Sequence, residues 1–370
     1  MTLTSETRAR RLAALRAAMA AANLDVVAIV PGANQQYLTG ARFGAMERPT
    51  VLIVPREGEC RMVLPHFEAA TWAKLGVEAR VHLWQDTEGY ASAFAAACSG
   101  LNAGRLGVEG QKMRVFEEMA VRAVLPGATL VDAQREISAM RIVKDKNEIA
   151  ALRRAIAVSE AALAATLAEV RVGISEREVE KVLLGRFFAA GAEALAFHPL
   201  VAGGPQAAEP HASAGDYRLR EGDTLLFDFG ASFGGYNADI TRTVFVGEPG
   251  AEARAMYETV LEANRIGRAA ARPGVTAGEV DDITTKVLEA SPFARYILAK
   301  TGHGLGLDIH EAPQIMRGNG EVLAPGMVIT IEPGLYVPGV RGVRIEDDVV
   351  ITETGTESLT AFPRELRVVG

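Results

Sequence analysis

Cysteine is nearly absent from this 370-residue chain: Cys60 and Cys98 are the only two, and no CxxC or other paired framework surrounds them. That excludes a disulfide framework, and the chain reads as cytoplasmic with two packed thiols. Long hydrophobic runs are also missing, since none approaches the roughly 20 residues that cross a bilayer. The opening "MTLTSETRARRLAALRAAMAAANLD" interleaves arginine with leucine and alanine at helical spacing, and no apolar core with a cleavage site follows. It reads as a helix, not a signal peptide. Positive charge is not in excess: 39 Lys and Arg stand against 46 Asp and Glu, a net charge of −7. No global attraction to nucleic acid or to an anionic membrane follows from such a balance. A P-loop is absent, and "GHGLG" at 302–306 opens no helix after a first strand, so a dinucleotide fingerprint is not supported. Histidine is scarce, with six in the chain, yet His303 and His310 fall together in "KTGHGLGLDIHEAP".

What is present is ordinary globular material, 49% hydrophobic and 23% charged. The length favours two domains. Helix and strand signals alternate through the first part: a helix over about 5–22, then "DVVAIV", "TVLIVP", "RMVLP", a helix over 66–75, "ARVHLW" and "RLGVEG". The expectation is a small α/β domain with a mixed sheet over 1–133, a linker at 134–144 and a second domain over 145–370. Asp145 and Glu148 form a capping box before a long amphipathic helix. The second part echoes itself. "RVGISEREVEKVL" (171–183) and "RPGVTAGEVDDIT" (272–284) share Arg-x-Gly, an aliphatic residue, a Ser or Thr N-cap and a Glu three residues later. Each copy leads to a glycine-bearing stretch with histidine (His211 in one, His303 and His310 in the other) and then to a hairpin carrying acids. Two such copies imply a pseudo-twofold α/β domain with its cleft on the symmetry axis.

The acids give the cleft its chemistry. "LLFDFGASFGGYNADITRTVFV" (225–246) reads as a hairpin, and a turn centred between Phe233 and Gly234 sets Asp228 opposite Asp239. Cross-strand partners lie about 5 Å apart at Cβ. Two carboxylates that close repel unless a cation lies between them or one is protonated. In "MVITIEPGLYVPGVRGVRIEDDVVIT" (327–352) a turn centred on Gly339 brings Glu332 opposite Glu346, with Arg344 and Glu346 on one face. Arg341 and Asp347 read as solvated surface charges. Four carboxylates and one imidazole form an oxygen-rich set suited to two divalent cations roughly 3.5–4 Å apart.

These residues resemble a known family. "DFGASFGGYNADITRT", "GHGLGLDIHEAP", "TIEPGLY" and "GVRIEDD", in that order, are similar to the Xaa-Pro peptidase branch of the pita-bread metallopeptidases, which holds prolidases and aminopeptidase P. The resemblance covers about 145–365, and a smaller creatinase-type α/β domain is implied ahead of it. It implies five metal ligands: Asp228, Asp239, His303, Glu332 and Glu346. Asp239 and Glu346 would bridge two ions, Asp228 would complete one, and His303 with Glu332 the other. His211 and His310 would touch substrate, and Tyr336 and Arg344 would orient Glu346 and the reacting group. Thr241 is placed to hydrogen-bond Asp239. Where many members carry a further histidine, four residues before His303, this chain has Ala299. A homodimer is implied as well.

Water bridging two cations is acidic enough to be hydroxide near neutral pH. Glu332 is the candidate general base that carries a proton to the leaving imide nitrogen, with His310 or His211 stabilising the oxyanion. An Xaa-Pro bond lacks an N–H, which a site built on metals and histidines does not need; one isomer, trans by resemblance, should be selected. Oxygen-rich ligation favours Mn²⁺, with Co²⁺ or Zn²⁺ able to substitute. A dipeptidase must also recognise the free carboxylate beside proline, which calls for a cation. Arg42 and Arg48 of "ARFGAMERPTV" are the candidates, Arg48 first, which tilts the reading to prolidase over aminopeptidase P. A metal-free creatinase-like hydrolase and a non-catalytic peptide-binding module are the remaining alternatives, disfavoured by the intact ligand set.

Overall fold

The computed structural model describes residues 3–210 and 212–370. The chain forms two compact units, Met1–Arg141 and Ile142–Gly370. The first has helices α1 (Ser5–Ala21), α2 (Ala33–Thr39), α3 (Ala69–Leu75), α4 (Ala91–Cys98), α5 (Val115–Val124) and α6 (Gln134–Ser138). Its strands are β1 (Val26–Ile29), β2 (Val51–Pro55), β3 (Arg61–Pro65), β4 (Arg80–Trp84), β5 (Arg105–Val108) and β6 (Thr129–Asp132). They form one mixed sheet in the order β4-β3-β2-β1-β5-β6, with β1 antiparallel to β2 and parallel to β5. Strand β2 is apolar throughout because both faces are covered: Leu52 and Val54 enter one core with Leu15 and Trp72, and Val51 and Ile53 enter another with Phe94 and Trp84. Residues 134–141, assigned to a linker from sequence, fold as α6 and a 3₁₀ turn, because Ile137 is drawn fully into the core of this unit.

In the second unit the N-caps read from the sequence are all present. Asp145 with Glu148 opens α7 (Lys146–Leu167) and Ser175 with Glu178 opens α8 (Glu176–Ala189). After α9 (Ala251–Ala270), Thr276 with Glu279 opens α10 (Ala277–Glu289). Each capping side chain contributes about 1 kcal/mol. The duplication is visible in detail, since Ser175 bridges to Arg218 and Thr276 to Val322, each just ahead of its own acidic hairpin.

The first copy supplies β7 (Ala194–Leu195), β8 (Leu200–Gly203), β9 (Asp223–Phe229), β10 (Ala231–Phe233), β11 (Tyr236–Asn237) and β12 (Ile240–Val246). The second supplies β13 (Gly302–Gly304), β14 (Glu311–Ile315), β15 (Val328–Ile331), β16 (Gly334–Val337), β17 (Arg341–Arg344) and β18 (Asp347–Ile351). The short strands β19 (Thr356–Ser358) and β20 (Val368–Val369) complete two sheets, ordered β20-β12-β9-β8 and β14-β13-β15-β18-β19. One core joins both copies: Leu152, Leu163 and Phe187 from the first pair of helices meet Phe227 and Phe229 of β9 and Val328 of β15. That packing holds the two acidic hairpins together in a pseudo-twofold α/β domain of the pita-bread type.

Candidate metal centre

The first hairpin is shifted from the expected register. Phe233 pairs with Tyr236, leaving Gly234-Gly235 as a two-residue loop with φ of 64° and 86°. That turn lies one residue later than the sequence reading, so every pairing moves by two. Asp228 consequently stands opposite Thr241, not Asp239. Asp239 lies across from Gly230, where a Cβ would come within 1.8 Å of the Ala238 carbonyl oxygen, so only glycine fits. A shift of two keeps the same face, and Asp228, Thr241 and Asp239 still point to one side.

The second hairpin keeps the expected register. Ile331 pairs with Asp347 and Gly334 with Arg344, with the turn on Gly339, so Glu332 and Glu346 occupy facing positions between the two paired segments. Here the hairpins of the two copies join. The Glu346 N–H donates to the Thr241 carbonyl at 3.1 Å, and Thr241 Oγ1 donates to Glu346 Oε2 at 2.7 Å. Thr241 was expected to serve Asp239. The cross-hairpin link carries its hydroxyl to Glu346 instead.

Asp228, Asp239 and Glu346 each offer an oxygen within 4.8 Å of the others, and a His303 ring nitrogen lies equally close to oxygens of Glu332 and Glu346. A third group joins Asp239 to His303 and His310. Glu346 belongs to two of these groups and Asp239 to two. His303 directs Nδ1 at the Gly304 carbonyl, 3.0 Å away, and a carbonyl only accepts, so the ring proton sits there. Its Nε2 lone pair then faces Asp239 at 3.5 Å and Glu332 at 3.4 Å. Asp228 Oδ1 is buried without a partner.

Electrostatics describe the same strain. Burial first, then repulsion from Glu346 and Asp228, holds the Asp239 carboxyl well above its usual range. Burial, then Glu332 and Asp228, does so for Glu346. Glu332 is pushed up to about 7, chiefly by burial. Burial, followed by neighbouring His310, lowers His303 to about 3. Buried acids facing a neutral imidazole lone pair and an orphaned carboxylate oxygen suit divalent cations, which relieve every one of these conflicts.

Arg344 organises one side. It donates to Asp228 Oδ2, to the Tyr336 hydroxyl at 2.8 Å and to Thr241 Oγ1 at 3.0 Å. It thus binds Asp228 directly, reaches Glu346 through the Thr241 hydroxyl, and its charge favours the ionised form of Glu346. His310 is exposed, its ring centroid 4.3 Å from that of His303. His211 lies outside the described residues. In the first unit, Arg48 is held by Asp86, at 2.9 Å from both carboxylate oxygens, and by Glu47.

Sequence reasoning missed the layer behind the acids. Arg242, fully buried, donates to the Thr241 carbonyl at 2.9 Å, the Glu346 carbonyl at 2.6 Å and Asp347 Oδ1 at 2.8 Å. Asp347 is therefore no surface charge; it is completely buried and also binds Arg364 at 2.7 Å. Asp348 Oδ2 accepts the Asp239 N–H at 3.1 Å. The one available signal was Arg242 between threonines in an apolar strand. Gly230-Ala-Ser-Phe-Gly234 spells G-x-S-x-G, but Ser232 pairs with Asn237 inside a hairpin and not at a strand-to-helix turn, so it is no nucleophile elbow.

Residues 150–353, more than half of the chain, match the family described as Metallopeptidase family M24. The chain belongs to that family. Residues 11–143 match the Creatinase/Prolidase N-terminal domain. The M24 chain is 38% identical over 376 residues to a protein of Mycobacterium tuberculosis named Probable dipeptidase PepE, covering 99% of this chain and 97% of that one. It is 44% identical over 230 residues to the Xaa-Pro dipeptidase of Pyrococcus furiosus, covering 62% and 66% of the two chains. Among solved structures it is similar to a prolidase from Thermococcus sibiricus (TM-score 0.92, 33% identity, 98% and 99% covered). An X-Pro aminopeptidase from Thermotoga maritima is also similar (TM-score 0.84, 28% identity, 97% and 99% covered). The protein is a peptidase of a family that depends on divalent metal. No helix among the described residues is long and apolar enough to cross a membrane.

Proposed function

We propose that this M24 peptidase cleaves the Xaa-Pro bond of dipeptides at a pair of divalent cations. The observation that carries the reading is the meeting of Asp228, Asp239 and Glu346 with His303 and Glu332 through the shared Glu346. Asp239 and Glu346 would bridge the ions, Asp228 would complete one, and His303 with Glu332 the other. The oxygen-rich donor set favours Mn²⁺, with Co²⁺ or Zn²⁺ able to substitute. When bound, such a pair supplies a water acidic enough to attack near neutral pH and polarises the scissile carbonyl.

The chain's own residues do the rest. Glu332 takes the proton of the attacking water and delivers it to the proline nitrogen. His310, beside His303 and open to solvent, donates to the developing oxyanion; His211 is the other candidate for that role. Arg344, itself bound to the Tyr336 hydroxyl, holds Asp228, and Thr241 holds Glu346, so the acids keep their geometry as charge moves. The buried free thiols Cys60 and Cys98 support a reducing, cytoplasmic setting. A homodimer is part of the same proposal and is checked by sedimentation.

Dipeptide preference is supported by the names of the relatives. Metal-loaded enzyme should hydrolyse an Xaa-Pro dipeptide with a kcat/KM at least about tenfold above that for Xaa-Pro-Xaa. Turnover confined to the tripeptide would replace this reading with aminopeptidase P, and no turnover of either would favour a peptide-binding module.

A further inference from the structure

Lys300 lies just ahead of β13, and its side chain is exposed. Its Nζ donates to Oε1 of Gln314 on β14, the residue paired with His303 across the β13–β14 ladder. The Gln314 amide is fixed in turn, since its Nε2 donates to the Glu311 carbonyl at 2.9 Å. The ammonium is therefore anchored by a neutral acceptor. Of its three donors one is taken by Gln314, leaving two to offer a ligand.

The other cations of this unit that stand close to the acids are already committed. Arg344 is buried against Asp228, Tyr336 and Thr241. Lys144 is buried against Glu311 at 3.0 Å and the Ile142 carbonyl at 3.1 Å. Lys300 also stands on a particular side of the site. The backbone sets that side: the carbonyl of the neighbouring Thr301 accepts the Glu332 N–H at 2.7 Å, and Gln314, which anchors the ammonium, pairs with His303.

That side is where the leaving group emerges. Glu332 protonates the proline nitrogen, and the proline carboxyl carbon is only two bonds from that nitrogen, roughly 2.5 Å. The free carboxylate of a dipeptide then lies beside Glu332, on the side of the site that Lys300 borders. We propose that Lys300, anchored by Gln314, binds the C-terminal carboxylate of the Xaa-Pro dipeptide and sets the preference for dipeptides. This rests on the dipeptidase reading above. A longer peptide presents a neutral amide there and forfeits the ion pair.

The test compares an Xaa-Pro dipeptide with its Xaa-Pro amide on metal-loaded enzyme. Lys300→Met should raise KM for the dipeptide about 10- to 100-fold with kcat little changed, and leave the amide within about twofold. Lys300→Arg should restore most of the loss. Gln314→Glu, which sets an anion against the ammonium, should reproduce the selective loss without touching Lys300. Equal losses on dipeptide and amide, or no loss on either, would overturn the proposal. So would a selective loss in Arg48→Ala with none in Lys300→Met. Failure of the unmodified enzyme on the dipeptide would instead overturn the dipeptidase reading itself.

Discussion

Glu332→Gln should lower kcat for an Xaa-Pro dipeptide by about three orders of magnitude at saturating metal while leaving the protein folded. The amide fills the same space, and the Glu332 N–H would keep its 2.7 Å bond to the Thr301 carbonyl. What is lost is a group able to accept a proton from water and release it to nitrogen. The imide nitrogen of proline is a poor leaving group until protonated, so the effect falls on the chemical step and not on KM. Metal affinity should also weaken, because one anionic donor has become neutral, and the comparison therefore belongs at saturating Mn²⁺. Retention of more than about a tenth of the wild-type kcat would remove Glu332 from the role of shuttle.

The second large effect is a reversal of sign. Glu346 is fully desolvated, faces Glu332 and Asp228, and has its carboxyl held well above the ordinary range. An acid whose folded-state pKa is raised favours the fold only while protonated. Its contribution to stability falls as pH rises from the unfolded value toward the folded one. At neutral pH in excess chelator, Glu346→Gln should therefore melt above the wild type, by about 1–2 kcal/mol of stability. Thr241 Oγ1 keeps an acceptor in that variant. In Mn²⁺ the order should invert, since the carboxylate shared by both halves of the site is gone, and hydrolysis should drop by about three orders of magnitude or more. A variant less stable than wild type in both conditions would contradict the view that these acids repel each other until cations arrive.

Much of this arrangement was legible because it is written in local chemistry. Capping boxes act within one helical turn, so Asp145–Glu148, Ser175–Glu178 and Thr276–Glu279 announced both the helices and the duplication. The second hairpin was read correctly because Pro338 and Gly339 leave little choice of turn. The first was read two pairings out because Ser-Phe-Gly-Gly allows more than one turn centre, and the tight loop uses both glycines. Asp228 and Asp239 nevertheless meet, because a shift of two preserves the face of a strand. The layer formed by Arg242, Asp347 and Asp348 was not legible. Alternation says which face a strand residue takes but not what covers that face, and here the cover is the C-terminal segment that brings the Phe362 and Pro363 carbonyls to Arg242. Helix α2 was missed for a related reason. Its Asn34 and Gln35 look solvated in sequence, yet both are buried, and Asn34 donates to Glu109 at 2.8 Å.

The central claim is that two cations held by these five residues make the Xaa-Pro bond labile. Its most direct test strips the protein with chelator, returns Mn²⁺ in steps, and follows bound metal and dipeptide hydrolysis together. Activity should be absent in the stripped protein, rise with added ion and level off near two ions per chain. Full hydrolysis in the stripped protein, as a creatinase-like hydrolase would give, or no hydrolysis at full metal occupancy, would contradict it.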